Sequence, residues 1–436
     1  MSDVGKLIIT IFICLITLLL SFFCLDNYSY YIFFIIIFFS CLLFQPKELK
    51  IDSVLLYSYG VLGMFIFYFY WHSFNGLGYL TGRVTDDWNF DIEWGKNYYD
   101  LYRINPIYLY DFLGPLHNSV GYVYFVSIVR YISDLLDGYE TFNTRLINIY
   151  LLILTGCISA RLAPYFYNIP EDNIIAIKRK ILYCICLIPV MSYYSFFVLR
   201  ETLVIFLIML CIYQVVVNKK KLLSIIVIFI CLICLWFLRK STCFVLLLLC
   251  ILISTPTHKW KWYLPILGVP IIVLIFLISG ELIGSISRGV ENYNEMNVER
   301  HGDIASRFML LPFGINIIPR IIYAFIVPAI NFNNLEQIYL SVEMYLKILF
   351  FPILMSALFN KNIDLRLKII FLVLFFVVVF STLSHRHFSM FIPFGIILVV
   401  LQLEDFKSIS LKKYIMWMIL FIILLIISFV IAFSFN

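Results

Sequence analysis

Two adjacent carboxylates, Asp86 and Asp87, stand in the stretch TGRVTDDWNF, beside Trp88 and ahead of Trp94 and a run of tyrosines. Aromatic rings next to carboxylates suit carbohydrate: ring faces stack on the sugar, and the acids accept its hydroxyl hydrogens. Either acid could also act as general base on a sugar hydroxyl. The ordinary alternative is a solvated acidic loop in an interfacial aromatic belt. The same polar region carries Asp91, Glu93, Arg103 and Asp111.

Cations form the second set. Arg145 opens an apolar run in TRLINIY, Arg200 and Glu201 interrupt FVLRET, Arg239 and Lys240 interrupt WFLRKST, and SHRHFSMF holds His385, Arg386 and His387. A later polar region, SRGVENYNEMNVERHGDIASRF, holds Arg288, Arg300, His301, Asp303 and Arg307, and Arg320 follows among Pro312, Pro319 and Pro328. Snorkelling to water accounts for any one such arginine. Its repetition at successive short turns, on the side where Lys and Arg are normally depleted, points to a basic cavity. A guanidinium fork matches phosphate oxygens. An acid that can take a proton and arginines that can hold a departing phosphate are the two requirements of glycosyl transfer from a lipid-linked diphosphate.

His385 and His387 alternate on a turn and lack metal-ligand spacing, and no nucleotide, hydrolase or zinc motif occurs, so neither metal nor cofactor is expected. Glu343 and Lys347, at i and i+4 within an apolar run, read as a structural pair.

The elements that must position these groups follow from composition. The chain is 63% hydrophobic and 13% charged, with mean hydropathy +0.98. Apolar runs approach the ~20 residues that cross a bilayer core, where only helices satisfy the backbone. The fold class is therefore an all-α polytopic membrane protein, a single integral domain over 1–436. About thirteen transmembrane helices, in a range of about eleven to fourteen, are expected. They are 5–25 (read as a retained span rather than a cleaved signal), 28–45, 51–72, 145–167, 181–198, 201–217, 222–238, 242–256, 262–282, 338–358, 368–384, 388–403 and 413–434. Segments 118–136 and 308–332 read as interfacial or re-entrant helices within two larger outer loops, 73–144 and 283–337, the second a lid over the cavity. Basic clusters at 47–50, 178–180, 219–221, 259–261, 361–368 and 407–413 assign the cytoplasmic side. That places the N-terminus inside and the C-terminus outside. The eleven cysteines lie in apolar stretches and read as small hydrophobes. The net charge of +6 reports topology rather than nucleic-acid binding.

At TDDWNF, TRLINIY, PVMSYYSFFVLRET and ERHGDIASRF the chain resembles the bacterial O-antigen polymerases (Wzy-type) and, more loosely, the lipid-dependent glycosyltransferases of GT-C type. The resemblance implies an inner-membrane enzyme that joins undecaprenyl-diphosphate-linked repeat units on the periplasmic face, without nucleotide sugar or obligatory metal. Its outer-loop arginines would hold the diphosphates, and a chain-length regulator is a candidate protein partner besides the bilayer and the lipid-linked glycans. The early Asp-Asp loop departs from that pattern towards single-sugar transferases that use a polyprenyl-phosphate donor. A lipid-linked oligosaccharide flippase or other transporter is the non-enzymatic alternative. It is disfavoured because the charge sits at helix ends and no related halves are visible.

Overall fold

The computed structural model describes residues 3–25, 27–80, 85–114, 119–217, 222–254, 317–327, 334–381, 385–405 and 411–434. Every regular element among them is a helix. In chain order the main ones are α1 (Asp3–Phe22), α2 (Ser29–Leu43), α3 (Lys50–Asn75), α4 (Val120–Asp134), α5 (Thr141–Leu162), α6 (Glu171–Leu187), α7 (Pro189–Ser195), α8 (Glu201–Val217), α9 (Leu222–Leu238), α10 (Lys240–Ser254), α11 (Ile317–Ile326), α12 (Leu335–Phe359), α13 (Leu365–Ser381), α14 (Ile392–Glu404) and α15 (Leu411–Ser434).

Among the described residues five helices are long and apolar enough to cross a membrane: Asp3–Phe22, Lys47–Asn75, Thr141–Tyr165, Leu335–Phe359 and Leu411–Ser428. Six more, α2, α8, α9, α10, α11 and α14, are apolar but only 10–17 residues long. Proline accounts for part of the difference from uniform spans. The expected span 181–198 is cut by Pro189, which holds Ile188 extended (φ −63°, ψ 129°) and separates α6 from α7. The expected span 388–403 begins as a 3-10 turn, His385–Met390, before α14. The expected span 262–282 lies outside the described residues, as do the polar part of 283–337 and its proposed lid.

α5 is the central post, packed by α2, α3, α4, α6, α7, α8 and α14. It is buried nearly throughout, including Asn143, Arg145 and Asn148. α1 is its opposite. Leu, Ile and Phe cover its exposed surface, while its buried side chains are Lys6, Thr10, Thr17 and Ser21. Lys6 reaches Asp52 of α3 at 2.5 Å, and Asp52 also meets Tyr183 Oη at 2.7 Å and Arg179 at 3.0 Å.

The described basic clusters at 47–50, 178–180 and 361–368 gather at one end of the bundle. Lys178 meets Glu48 at 2.7 Å, Lys180 pairs with Glu404, and Asn360 bonds Asp405 at 3.0 Å. The other end carries the turns before α8, α10 and α14 together with the polar stretch that follows α3. Segment 118–136 forms α4, a 15-residue helix packed on α9 and on that polar stretch.

Candidate functional site

The polar stretch winds unusually. Thr85 is extended, Asp86–Trp88 makes one helical turn, Asn89–Lys96 is a π-helix and Asn97–Tyr102 returns to α. The wide π turn is tolerated because Gly95 packs closely: a Cβ there would lie 2.3 Å from Phe90 O and 2.8 Å from Val126 of α4. π turns recur at functional sites.

Asp87 ties the winding together from within. One carboxylate oxygen accepts Leu80 N at 2.8 Å, and the other accepts Thr85 Oγ1 at 2.6 Å and Trp88 N at 3.0 Å. Burial pushes its pKa up to about 6, against the opposing pull of Thr85, Leu80 N, Arg145 and Trp88 N. Asp86 points the other way and is hydrogen-bonded by Arg386, with side chains 37% and 26% exposed.

Arg386 brings the distant turns together. Its Nε lies 3.6 Å from Glu201 Oε1, and His387 Nε2 lies 3.8 Å from the same oxygen. Both Glu201 oxygens are buried and accept no hydrogen bond from the described residues. Burial, then Arg239, Arg386 and Arg200 in turn, hold His387 well below the usual histidine range, so the ring is neutral. Three arginines from three turns thus act on one imidazole. Arg200 also donates to Ser119 and, at 3.3 Å, to Leu238 O.

His385 lies on the other flank. Its Nε2 is 3.2 Å from Glu343 Oε1 and its Nδ1 is 3.3 Å from Tyr194 Oη. The Glu343–Lys347 pair forms at 2.5 Å, and the second Glu343 oxygen accepts Val190 N at 2.8 Å, at the start of α7.

The remaining candidates stand elsewhere. Arg145 is wholly buried, donates to Gly78 O at 3.0 Å and lies 5.4–5.7 Å from the ring centres of Tyr68, Tyr79, Phe142 and Phe197. Gly78 has φ +69° and a Cβ there would lie 2.2 Å from Tyr68, so only glycine presents that carbonyl. Lys240 opens α10 with its ammonium 6.0 Å from the Trp236 ring. Arg320 is on α11, a helix that supplies none of the clustered residues. Arg288, Arg300, His301 and Arg307 lie outside the described residues.

Sequence reasoning passed over Tyr194 and Ser119, and treated Glu343 as a local pair only. A lone acid inside an apolar run was the available signal for Glu343. Tyr194 carried none, being one of thirty tyrosines. Among the described residues no group of His, Cys, Asp and Glu has the arrangement of a metal site.

No protein-family model, no curated protein and no solved structure matches the chain.

Proposed function

We propose that the chain is a membrane glycosyltransferase that polymerises lipid-diphosphate-linked repeat units, of the O-antigen polymerase kind, in a bacterial inner membrane. The observation that carries this reading is the meeting of Arg386 and His387 at Glu201, beside the partly open Asp86, with Arg239 and Arg200 within electrostatic reach of the same imidazole. A polar cluster that costly at the rim of an apolar bundle is retained for a ligand. Guanidinium groups suit the diphosphate, whose charge grows as the glycosidic bond breaks, and fixed donors there stabilise the transition state. Asp86 is the acid of the pair that a sugar hydroxyl can reach. Asp87 is a positioning residue that holds the turn. The basic end of the bundle then faces the cytoplasm and the arginine end the periplasm.

Glu343 and Lys347, ionisable side chains within α12, favour transport of a lipid-linked glycan as the second reading. Deletion in the native host with gel analysis of surface glycan separates the possibilities. A single-repeat product supports polymerisation. Total loss of surface glycan supports transport. A repeat short of one sugar indicates a single-sugar transferase, and unchanged glycan removes all three.

A further inference from the structure

The transfer reaction needs somewhere to put the proton of the acceptor hydroxyl. Asp86 is poorly suited, because its oxygen is already directed at the Arg386 guanidinium. A second group is built for the task. Lys347 at 2.5 Å keeps Glu343 ionised, and an ionised carboxylate only accepts hydrogen bonds. His385 must therefore carry its hydrogen on Nε2, facing Glu343 Oε1 at 3.2 Å. That leaves Nδ1 as an acceptor, and Tyr194 Oη lies 3.3 Å from it. Tyr194 is only half-buried, and its hydroxyl meets the turn that carries Arg386 next to His385.

We propose that Tyr194, His385 and Glu343 form the proton-accepting arm of the site, an inference that rests on the glycosyl-transfer reading above. As the acceptor oxygen bonds the anomeric carbon, the bond from that carbon to the diphosphate breaks and its electron pair leaves on the phosphate oxygen. The acceptor's proton passes to Tyr194 Oη while the phenol's own proton passes to His385 Nδ1. Glu343 stabilises the resulting imidazolium. The proton then returns by the same route to the released diphosphate, restoring the neutral ring.

Other groups around His385 are consistent with this. Glu343 and Lys347 face it from α12 and Tyr194 from α7, with Arg386 and His387 on its own turn, where they meet Glu201 of α8. The nearest ends of α13 (Val377–Val379) and α14 (Ile392–Phe394) are apolar. Burial, opposed by Glu343, holds His385 below the usual histidine range, so the ring is ready to accept at neutral pH.

The test uses the full-length protein in liposomes with a synthetic polyprenyl-diphosphate-linked repeat unit, following rate against pH. The wild-type rate falls as pH drops through the His385 pKa. His385→Gln lowers the rate by about 10²–10⁴-fold, the span of general-base catalysis, and removes that acid limb. Glu343→Gln deprives the imidazolium of its counter-ion and moves the limb to lower pH. Tyr194→Phe deletes one oxygen and slows transfer comparably; it decides the matter if His385→Gln fails to insert. An active wild type whose His385→Gln and Tyr194→Phe forms keep rates within about threefold and the same pH profile overturns the relay alone. A wild type that transfers no sugar overturns the glycosyl-transfer reading, and the relay with it.

Discussion

Two aspartate–arginine pairs leave the same short winding and are finished in opposite ways. Asp91 is fully buried. It meets Arg130 at 2.6 Å, Tyr79 Oη at 2.7 Å and Tyr139 Oη at 2.7 Å, and the Arg130 guanidinium lies 3.8 Å from the Tyr139 ring centre. Burial alone would raise the Asp91 pKa, but Arg130 and the hydroxyls of Thr141, Tyr79 and Tyr139 outweigh it and hold it below the ordinary carboxylate range. Asp86 and Arg386 remain partly exposed and lead on to Glu201. Saturation marks the first pair as a fastener between the winding and α4. Incompleteness makes the second the pair that the proposed function assigns to a ligand.

The largest separation is expected from truncating the two arginines. Arg130→Ala leaves a buried carboxylate uncompensated and costs about 3–5 kcal/mol, so little folded protein should reach the membrane. Arg386→Ala should leave thermal unfolding in detergent close to wild type and abolish the glycan ladder. Equal loss of folded protein in both variants would erase the distinction.

Arg386→Lys sharpens it. An ammonium keeps the charge and loses the fork, so a shortened ladder is expected, between wild type and Arg386→Ala on the same gel.

The neighbouring acids give a smaller contrast. Asp87→Asn can satisfy only part of the donor set of Leu80 N, Thr85 and Trp88 N, at a cost of about 1–3 kcal/mol in stability. Asp86→Asn should be neutral in stability and impair polymer length. Full-length polymer from a well-expressed Asp86→Asn variant would return the open pair to ordinary surface structure.

The smallest effect is on pH dependence. The Asp87 pKa is raised in the folded chain to about 6 from the ordinary aspartate value of about 4, so the native state holds its proton where the unfolded state has lost it. Stability should therefore fall as pH rises from about 4 to about 6, and the loss should be complete above that. Asp87→Asn should flatten this part of a melting-temperature series. An unchanged slope would place the titration elsewhere.

Much of this was legible in the chain. The described helices fall on the expected apolar runs, because apolar length and composition decide where a backbone can be buried. A proline redirected one of them: the α6–α7 break at Pro189 shapes the His385–Glu343 corner. The clustering of Arg200, Arg239 and Arg386 could be suspected from their shared position at turns. Their common neighbour His387, and the Glu201 that Arg386 meets, depend on how three helix ends close in space. The separate placement of Arg145 was not readable, because TRLINIY looks like any interfacial arginine until Gly78, Tyr79 and Phe197 enclose it. Asp86 and Asp87 are adjacent and chemically alike; the turn that begins at Thr85 sends them apart.

The reversed character of α1 has a consequence for the order in which the bundle assembles. Lipid tails are as apolar as its Leu, Ile and Phe surface, so burial of apolar area gives α1 little reason to leave the bilayer for α3. Its attachment depends instead on polar contacts, from Cys14 with Ser58 at 3.2 Å to Lys6 with Asp52. Asp52 is fully engaged only when Arg179 and Tyr183 of α6 also reach it. α1, made before α6, therefore has a finished berth only after α6 has been threaded, and it waits in lipid until then.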